Sequence, residues 1–263
     1  MMRRNFQLPA VLAITVILSM RALADVTFQS TAERTHLLEL FTSEGCSSCP
    51  PAEQWLSQLR ESPRLWKDFV PLAWHVDYWD RLGWPDRFAS PAHTARQRAY
   101  AASWSGGSVY TPAFVLDGVE WRGRTTGEIP AAGGKAGILS AVMSDAKGVA
   151  VTFQPARRAQ AWEAHIALLG LGLATRVKAG ENNGRDLRHD FVVLSHEVKV
   201  MRAEGDFFRA EAMLTVPAET KAALAIWICE AGKLAPVQAV GGPLAPWLRG
   251  GESGSLKSRV PPF

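Results

Sequence analysis

The chain has 263 residues, three of them cysteine, and carries 29 basic against 25 acidic side chains for a formal net charge of +4. Arg3, Arg4 and Arg21 fall in the first 24 residues with no acid among them. The remainder is close to neutral, which excludes a nucleic-acid partner held by a basic surface. Three cysteines leave one unpaired if two join.

The chain opens on Met-Met-Arg-Arg, continues through the apolar run LPAVLAITVILSM and reaches Ala22-Leu23-Ala24, a small-x-small signal-peptidase pattern. The apolar stretch at 8–20 falls short of the ~20 residues a spanning helix needs. Residues 1–24 are therefore expected to be a cleaved signal peptide. The product is then periplasmic or secreted and has no stable membrane span.

HLLELFTS at 36–43 mixes apolar residues with few breaks, as a buried parallel strand does. A helix should follow, because Pro50 and Pro51 suit only a first turn and Trp55, Leu56 and Leu59 recur at helical spacing. VPLAWHVDYW at 70–79 reads as a second buried strand. Strand, helix and strand make a right-handed βαβ unit with a site at the carboxyl ends of its strands.

Residues of about 80–106 are expected to form a mostly helical insertion, with a helix starting at Ser90-Pro91. VYTPAFVLDGVEWRG gives two short strands joined at Asp117-Gly118, a pair that suits a type I′ turn. AAGGKAGILSAVMSDA at 131–146 is expected to close this half as a helix. From residue 148 the texture turns to repeated β-rich runs with turn signals, which predicts a separate antiparallel β-sandwich-like domain over 148–245. The segment 246–263 has no apolar periodicity and reads as a mobile tail.

Cys46-Ser-Ser-Cys49 lies between the first strand and its helix. A C-x-x-C pair also serves zinc and haem attachment, and the absence of a histidine directly after Cys49 removes the haem motif. A thiol at a helix amino terminus meets unpaired N–H groups and the positive dipole end, which favour the reactive thiolate. Pro50 should push Cys49 away from helical dihedrals. Cys46, nearer the loop and solvent, is expected to attack a disulfide, with Cys49 resolving the mixed intermediate.

This order of elements resembles a thioredoxin fold, so the expected fold class is an α/β thioredoxin-like domain (25–147) followed by the antiparallel β-sandwich-like domain. Under that resemblance Thr111-Pro112 looks like the cis-proline segment that presents backbone to an extended substrate. CSSCPPAE is also similar to the proline-followed cysteine segment of Sco-type copper carriers. A copper site would need His75 or His93 as third ligand. The other alternative is a non-catalytic binding protein with a structural disulfide.

His75 and Asp77 alternate on the second strand as supporting groups, Asp77 read as a capping or solvated acid in preference to a proton relay for the cysteines. Cys229 reads as a buried inert thiol. Asn183-Gly184 reads first as a hairpin turn, and Glu181, Arg185 and His189 second as a polar patch.

LELFTSEGCSSCPPAE, HVDYWDRLGW, RQRAYA, VYTPAFVLDG and GENNGRDLRHDFVV together resemble the exported bacterial family catalogued as domain of unknown function 1223. That resemblance implies a thioredoxin-like part followed by a β-sandwich and no defined activity. Cys46, Cys49, Thr111 and Pro112 match its paired cysteines and threonine-proline. The expected function is an exported thiol–disulfide oxidoreductase acting on a thiol- or disulfide-bearing protein or small molecule, with no metal and no other cofactor.

Overall fold

The computed structural model describes residues 25–104, 106–122, 128–144, 147–217 and 220–244. The signal expected over 1–24 and the tail expected over 246–263 lie outside the described residues.

The elements, in chain order, are β1 (Val26–Gln29), β2 (His36–Thr42), α1 (Pro50–Gln58), β3 (Phe69–His75), α2 (Pro91–Ala101), β4 (Ala113–Leu116), β5 (Val119–Glu120), β6 (Gly137–Ser144), β7 (Gly148–Pro155), β8 (Trp162–Leu171), β9 (Leu173–Arg176), β10 (Asp186–His189), β11 (Val192–Val200), β12 (Arg202–Glu204), β13 (Phe207–Met213), β14 (Lys221–Glu230) and β15 (Pro236–Pro243). They form an eight-stranded mixed sheet in the order β15-β14-β8-β11-β3-β2-β4-β5, a five-stranded sheet β1-β6-β7-β13-β12 and a β9-β10 pair.

Several local expectations hold. β2 and β3 pair in parallel with every residue buried, because helices cover both of their faces and continuous apolar runs survive only under such cover. α1 lies on the face of Thr42, and α2 lies on the face of Glu39 and Trp74. Ser90 caps α2 by accepting from the Ala92 N–H at 3.2 Å, with Pro91 in the first turn. Asp117 and Gly118 have φ of +49° and +84°, as the β4-β5 turn requires of both central residues.

The expected fold class is corrected. Strand dominates the described residues, with helices of only nine and eleven residues, and the α/β thioredoxin-like domain followed by a β-sandwich-like domain is not what forms. The βαβ unit is present as β2-α1-β3, but its sheet does not end there. β11 joins β3 in parallel, and β8, β14 and β15 extend the same sheet. The sheet thus crosses the boundary expected near residue 148.

Alternation along β14 gives the physical reason. Ala223, Ala225, Trp227 and Cys229 pack into the core shared with β2, β3 and α1, whereas Leu224, Ile226 and Ile228 pack into the core shared with the five-stranded sheet. One strand serves two cores, so the two halves of the chain are joined by burial on both faces of one sheet.

The closing helix expected at 131–146 is also corrected. Its apolar residues form β6, where Leu139, Ala141 and Met143 are buried and alternate with half-buried Ile138, Ser140 and Val142. That period of two is a strand's.

Candidate functional site

After β2 the chain turns at Ser43, where the Cys46 N–H donates to Ser43 O at 3.1 Å, and Cys49 becomes the residue that caps α1. Cys46 and Cys49 form a disulfide with Cα atoms 5.5 Å apart. Cys49 keeps helical dihedrals, φ −79° and ψ −35°. The turn is held by the amides of Ala52 and Glu53, both donating to the Cys49 carbonyl, and this closure outweighs the bias from Pro50.

The helix start therefore differs from the expectation in its chemistry. Pro50 and Pro51 carry no N–H, and the next two amides are already used by Cys49 O. None of these four groups remains free to stabilise a thiolate. The nearby donor is a hydroxyl, Ser48 Oγ, at 3.4 Å from Cys46 Sγ.

Solvent access differs as well. Ser47 and Ser48 are exposed, but both cysteines are fully buried, so Cys46 does not face solvent as expected. The loop between β9 and β10 covers them. Asn182, itself buried, donates from its side-chain amide to the carbonyls of Glu44 and Cys46 at 2.9 Å each. Glu181 accepts from the Ser47 N–H at 3.0 Å. Gly184 has φ +83° and its N–H returns to Val177 O at 3.0 Å, so the turn read at Asn183-Gly184 exists, and its function is to present Glu181 and Asn182 to the cysteine loop.

Thr111 and Pro112 join this site. Their peptide bond is cis, and they line one cavity of about 490 Å³ with Ser48, Pro51, Phe114, Trp121 and Arg122. Trp79 ties the two parts together. Its Nε1 donates to Thr111 Oγ1 at 2.8 Å, and its Cβ would stand only 3.0 Å from the Cβ of any side chain placed on Gly45.

Beneath the disulfide lies a buried cluster of acids and imidazoles. Glu53 sits one helical turn after Cys49, where positions i and i+4 share a face. Its carboxylate accepts from Thr42 Oγ1 at 2.6 Å and meets His189 Nδ1. The other ring nitrogen of His189 lies 3.2 Å from Glu44 Oε1. His75 Nδ1 pairs with Asp86 Oδ2 at 2.6 Å, and the same oxygen accepts from the Glu44 N–H.

Burial disfavours charge on Glu53, Asp86 and His189, yet their partners prevail. Glu53 and Glu44 together lift His189 to about 10. His189 in turn holds the Glu53 carboxyl below its ordinary range, and His75 does the same for Asp86.

Other expected residues fall elsewhere. Asp77 accepts from Thr94 Oγ1 at 2.5 Å, a side-chain tie to α2, whose cap is Ser90. His93 packs edge-on against Trp74 on the opposite face of the sheet from α1, its Nδ1 3.0 Å from the carbonyl of His75. The buried Cys229 thiol lies 3.6 Å from Leu234 O, and burial pushes it up to about 12. Glu44, Glu53, Asp86 and Asn182 were not singled out in the sequence. The readable sign for Glu53 was its fourth place after Cys49.

The sequence pattern of the family described as protein of unknown function (DUF1223) matches residues 37–228. No curated protein matches the chain. Among solved structures, a protein of Agrobacterium tumefaciens is similar at 23% identity and a TM-score of 0.57, over 82% of this chain and 96% of that one. HBP35 of Porphyromonas gingivalis is similar at 12% identity and a TM-score of 0.54, over 82% of this chain and 76% of that one. At such identities the likeness is one of fold.

Proposed function

We propose a thiol–disulfide exchange function for this chain, which belongs to the DUF1223 family, proteins of unknown function. The observation that carries the reading is the shared cavity. The loop of the Cys46–Cys49 disulfide, through Ser48, and the Thr111-Pro112 segment line one cleft together with Phe114, Trp121 and Arg122. A thiol-bearing peptide or small molecule would enter there, and the signal-like pattern of the first 24 residues supports a reaction outside the cytoplasm.

In the oxidised protein a substrate thiolate attacks the Cys46 sulfur, forming a mixed disulfide and releasing Cys49 as the thiol or thiolate. A second substrate thiolate then attacks the substrate sulfur of that mixed disulfide. The substrate leaves as a disulfide and the protein holds two thiols; the reverse sequence reduces a substrate disulfide. Ser48 Oγ is placed to donate to Cys46 when it carries the negative charge. Because both sulfurs are covered, exchange requires the loop bearing Glu181 and Asn182 to lift.

The poise of the pair follows from the donors around it. A strongly oxidising pair is one whose reduced form is stabilised. Here the two prolines remove helical N–H donors, and Glu44 and Glu53 lie nearby. The pair belongs at the reducing end of the catalytic range, about −270 mV rather than about −120 mV.

The test is the reduction potential of the Cys46/Cys49 pair in glutathione and dithiothreitol buffers, with thiols alkylated and counted by mass in a Cys229→Ser background. A potential below about −300 mV means a structural disulfide and ends the exchange reading.

A further inference from the structure

The cluster beneath the disulfide holds more acceptors than its own donors satisfy. Glu44 Oε1, His75 Nε2 and His189 Nε2 are all buried and lack hydrogen-bond partners. Leaving one such buried atom unpaired is costly, and here three of them share one cluster. His189 Nε2 and Glu44 Oε1 stand 3.2 Å apart without the alignment of a hydrogen bond. Charge is unbalanced too. Among the described residues, the ion pairs of Glu44, Glu53 and Asp86 all end on His75 or His189. Three carboxylates thus face at most two positive imidazolium rings.

We propose that Glu53, His75 and His189, with Glu44 beside them, form a binding site for one divalent transition-metal cation of the zinc type. One ligand atom from each of Glu53, His75 and His189 lies within 4.8 Å of the others, and all three residues are buried. Two imidazoles with carboxylate oxygens suit zinc, with bonds of about 2.0–2.2 Å. Two ligands on a tetrahedral ion at those bond lengths are about 3.3–3.6 Å apart, and His189 Nε2 and Glu44 Oε1 stand near the short end of that range.

The surroundings are those of a built site. A metal-ligating histidine characteristically hands its other ring N–H to a carboxylate, and His75 Nδ1 does so to Asp86 at 2.6 Å, which leaves Nε2 free. Thr42 fixes Glu53 and Trp84 Nε1 fixes the second oxygen of Glu44, at 2.6 and 2.8 Å. Each ligand comes from a different element: the turn after β2, α1, β3 and β10. An ion would therefore tie α1 to the sheet directly under Cys49. The cysteines are no part of the ligand set, since their sulfurs are bonded to each other.

The experiment uses oxidised full-length mature protein, stripped with EDTA and dialysed, then titrated with Zn²⁺ by calorimetry and with Co²⁺ by visible absorption. The expected result is one equivalent per chain, a Co²⁺ spectrum of a four- or five-coordinate nitrogen–oxygen site without sulfur charge transfer, and Tm raised by about 5–10 °C at Zn²⁺ near one hundred times Kd. His75→Gln and Glu53→Gln should weaken binding about 100-fold or more, whereas Asp77→Asn, outside the cluster, should leave it unchanged. Where a variant fails to fold, the wild-type stoichiometry, spectrum and Tm shift decide. No saturable uptake of either ion by wild type, or uptake insensitive to both substitutions, overturns the site. Because the protein stays oxidised, this result is independent of the reduction potential that tests the exchange function.

Discussion

Replacing Asn182 with alanine removes two hydrogen bonds of 2.9 Å that run from its amide to the carbonyls of Glu44 and Cys46, and one of 3.0 Å that its Oδ1 accepts from Arg185. Each bond contributes about 1 kcal/mol net, and a buried acceptor left bare costs about 1–3 kcal/mol. Water entering the vacated space would hydrate the carbonyls, so the total should fall near the low end, about 2–3 kcal/mol. The structure says where this loss lands. Asn182 belongs to the short loop between β9 and β10, so the energy comes mainly off local opening of that cap. A loss of 2–3 kcal/mol multiplies the open population by about 30–140. The assay is the rate at which dithiothreitol reduces Cys46–Cys49 in native buffer, quenched by alkylation and read by mass, beside a urea melt. Asn182→Ala should be reduced faster by that factor. An unchanged rate in a variant whose urea midpoint has dropped would mean that thiols reach the sulfurs without moving the cap, and the reasoning would fail.

Three further outcomes follow from buried charge. His36 Nδ1 sits 2.6 Å from Asp117, whose hydrogen bond raises the imidazole above its ordinary 6.5 against the opposing effect of burial. Its contribution is full below pH ~6.5 and fades as pH rises through the raised value, so urea midpoints should fall more for wild type than for His36→Gln between pH 6 and 9; parallel curves would refute the linkage. Glu39, wholly buried, accepts from Arg96, Trp74 and Tyr100 at 2.7, 2.8 and 2.6 Å. Arg96→Met should cost about 3–5 kcal/mol, and much less in a Glu39→Gln background; equal costs in both backgrounds, measured by urea unfolding, would sink the pairing argument. Cys229, held near 12, has at pH 8.5 a thiolate fraction about three orders of magnitude below a free thiol's. Iodoacetamide should label it only in denaturant, and labelling of native protein at a free-thiol rate would contradict its burial.

What the sequence made legible was local. Pro50-Pro51 marked the start of α1, Ser90-Pro91 the start of α2 and Asp117-Gly118 the β4-β5 turn, because each signal acts within a few bonds of the structure it sets. The fold class failed for a different reason. A βαβ unit states how three elements connect and says nothing of what pairs with the open edge of β3. That edge is filled by β11, more than a hundred residues on, and no local pattern records the pairing. A clue was present in β8, where seven consecutive residues from Ala164 to Gly170 are buried. An almost unbroken apolar strand is buried on both faces, which a sandwich strand with one wet face is not. Weighing that run would have placed β8 in the interior of a covered sheet.

The site was half visible for a related reason. The two cysteines advertise themselves by spacing, but their cap and the cluster beneath come from Asn182 and His189, 136 residues from Cys46 and from Glu53 respectively. The sequence does flag such contacts indirectly. A titratable residue inside an apolar run must find a partner, because an unpaired buried charge is too costly to keep. Glu39 in HLLELF, His75 in VPLAWH and His165 in AHIALL each break such a run, and they meet Arg96, Asp86 and His196. Reading the runs for these interruptions, with Glu53 added at its fourth place after Cys49, picks out the strands whose faces carry chemistry. It leaves the identity of each partner to the topology, which only the assembled sheet supplies.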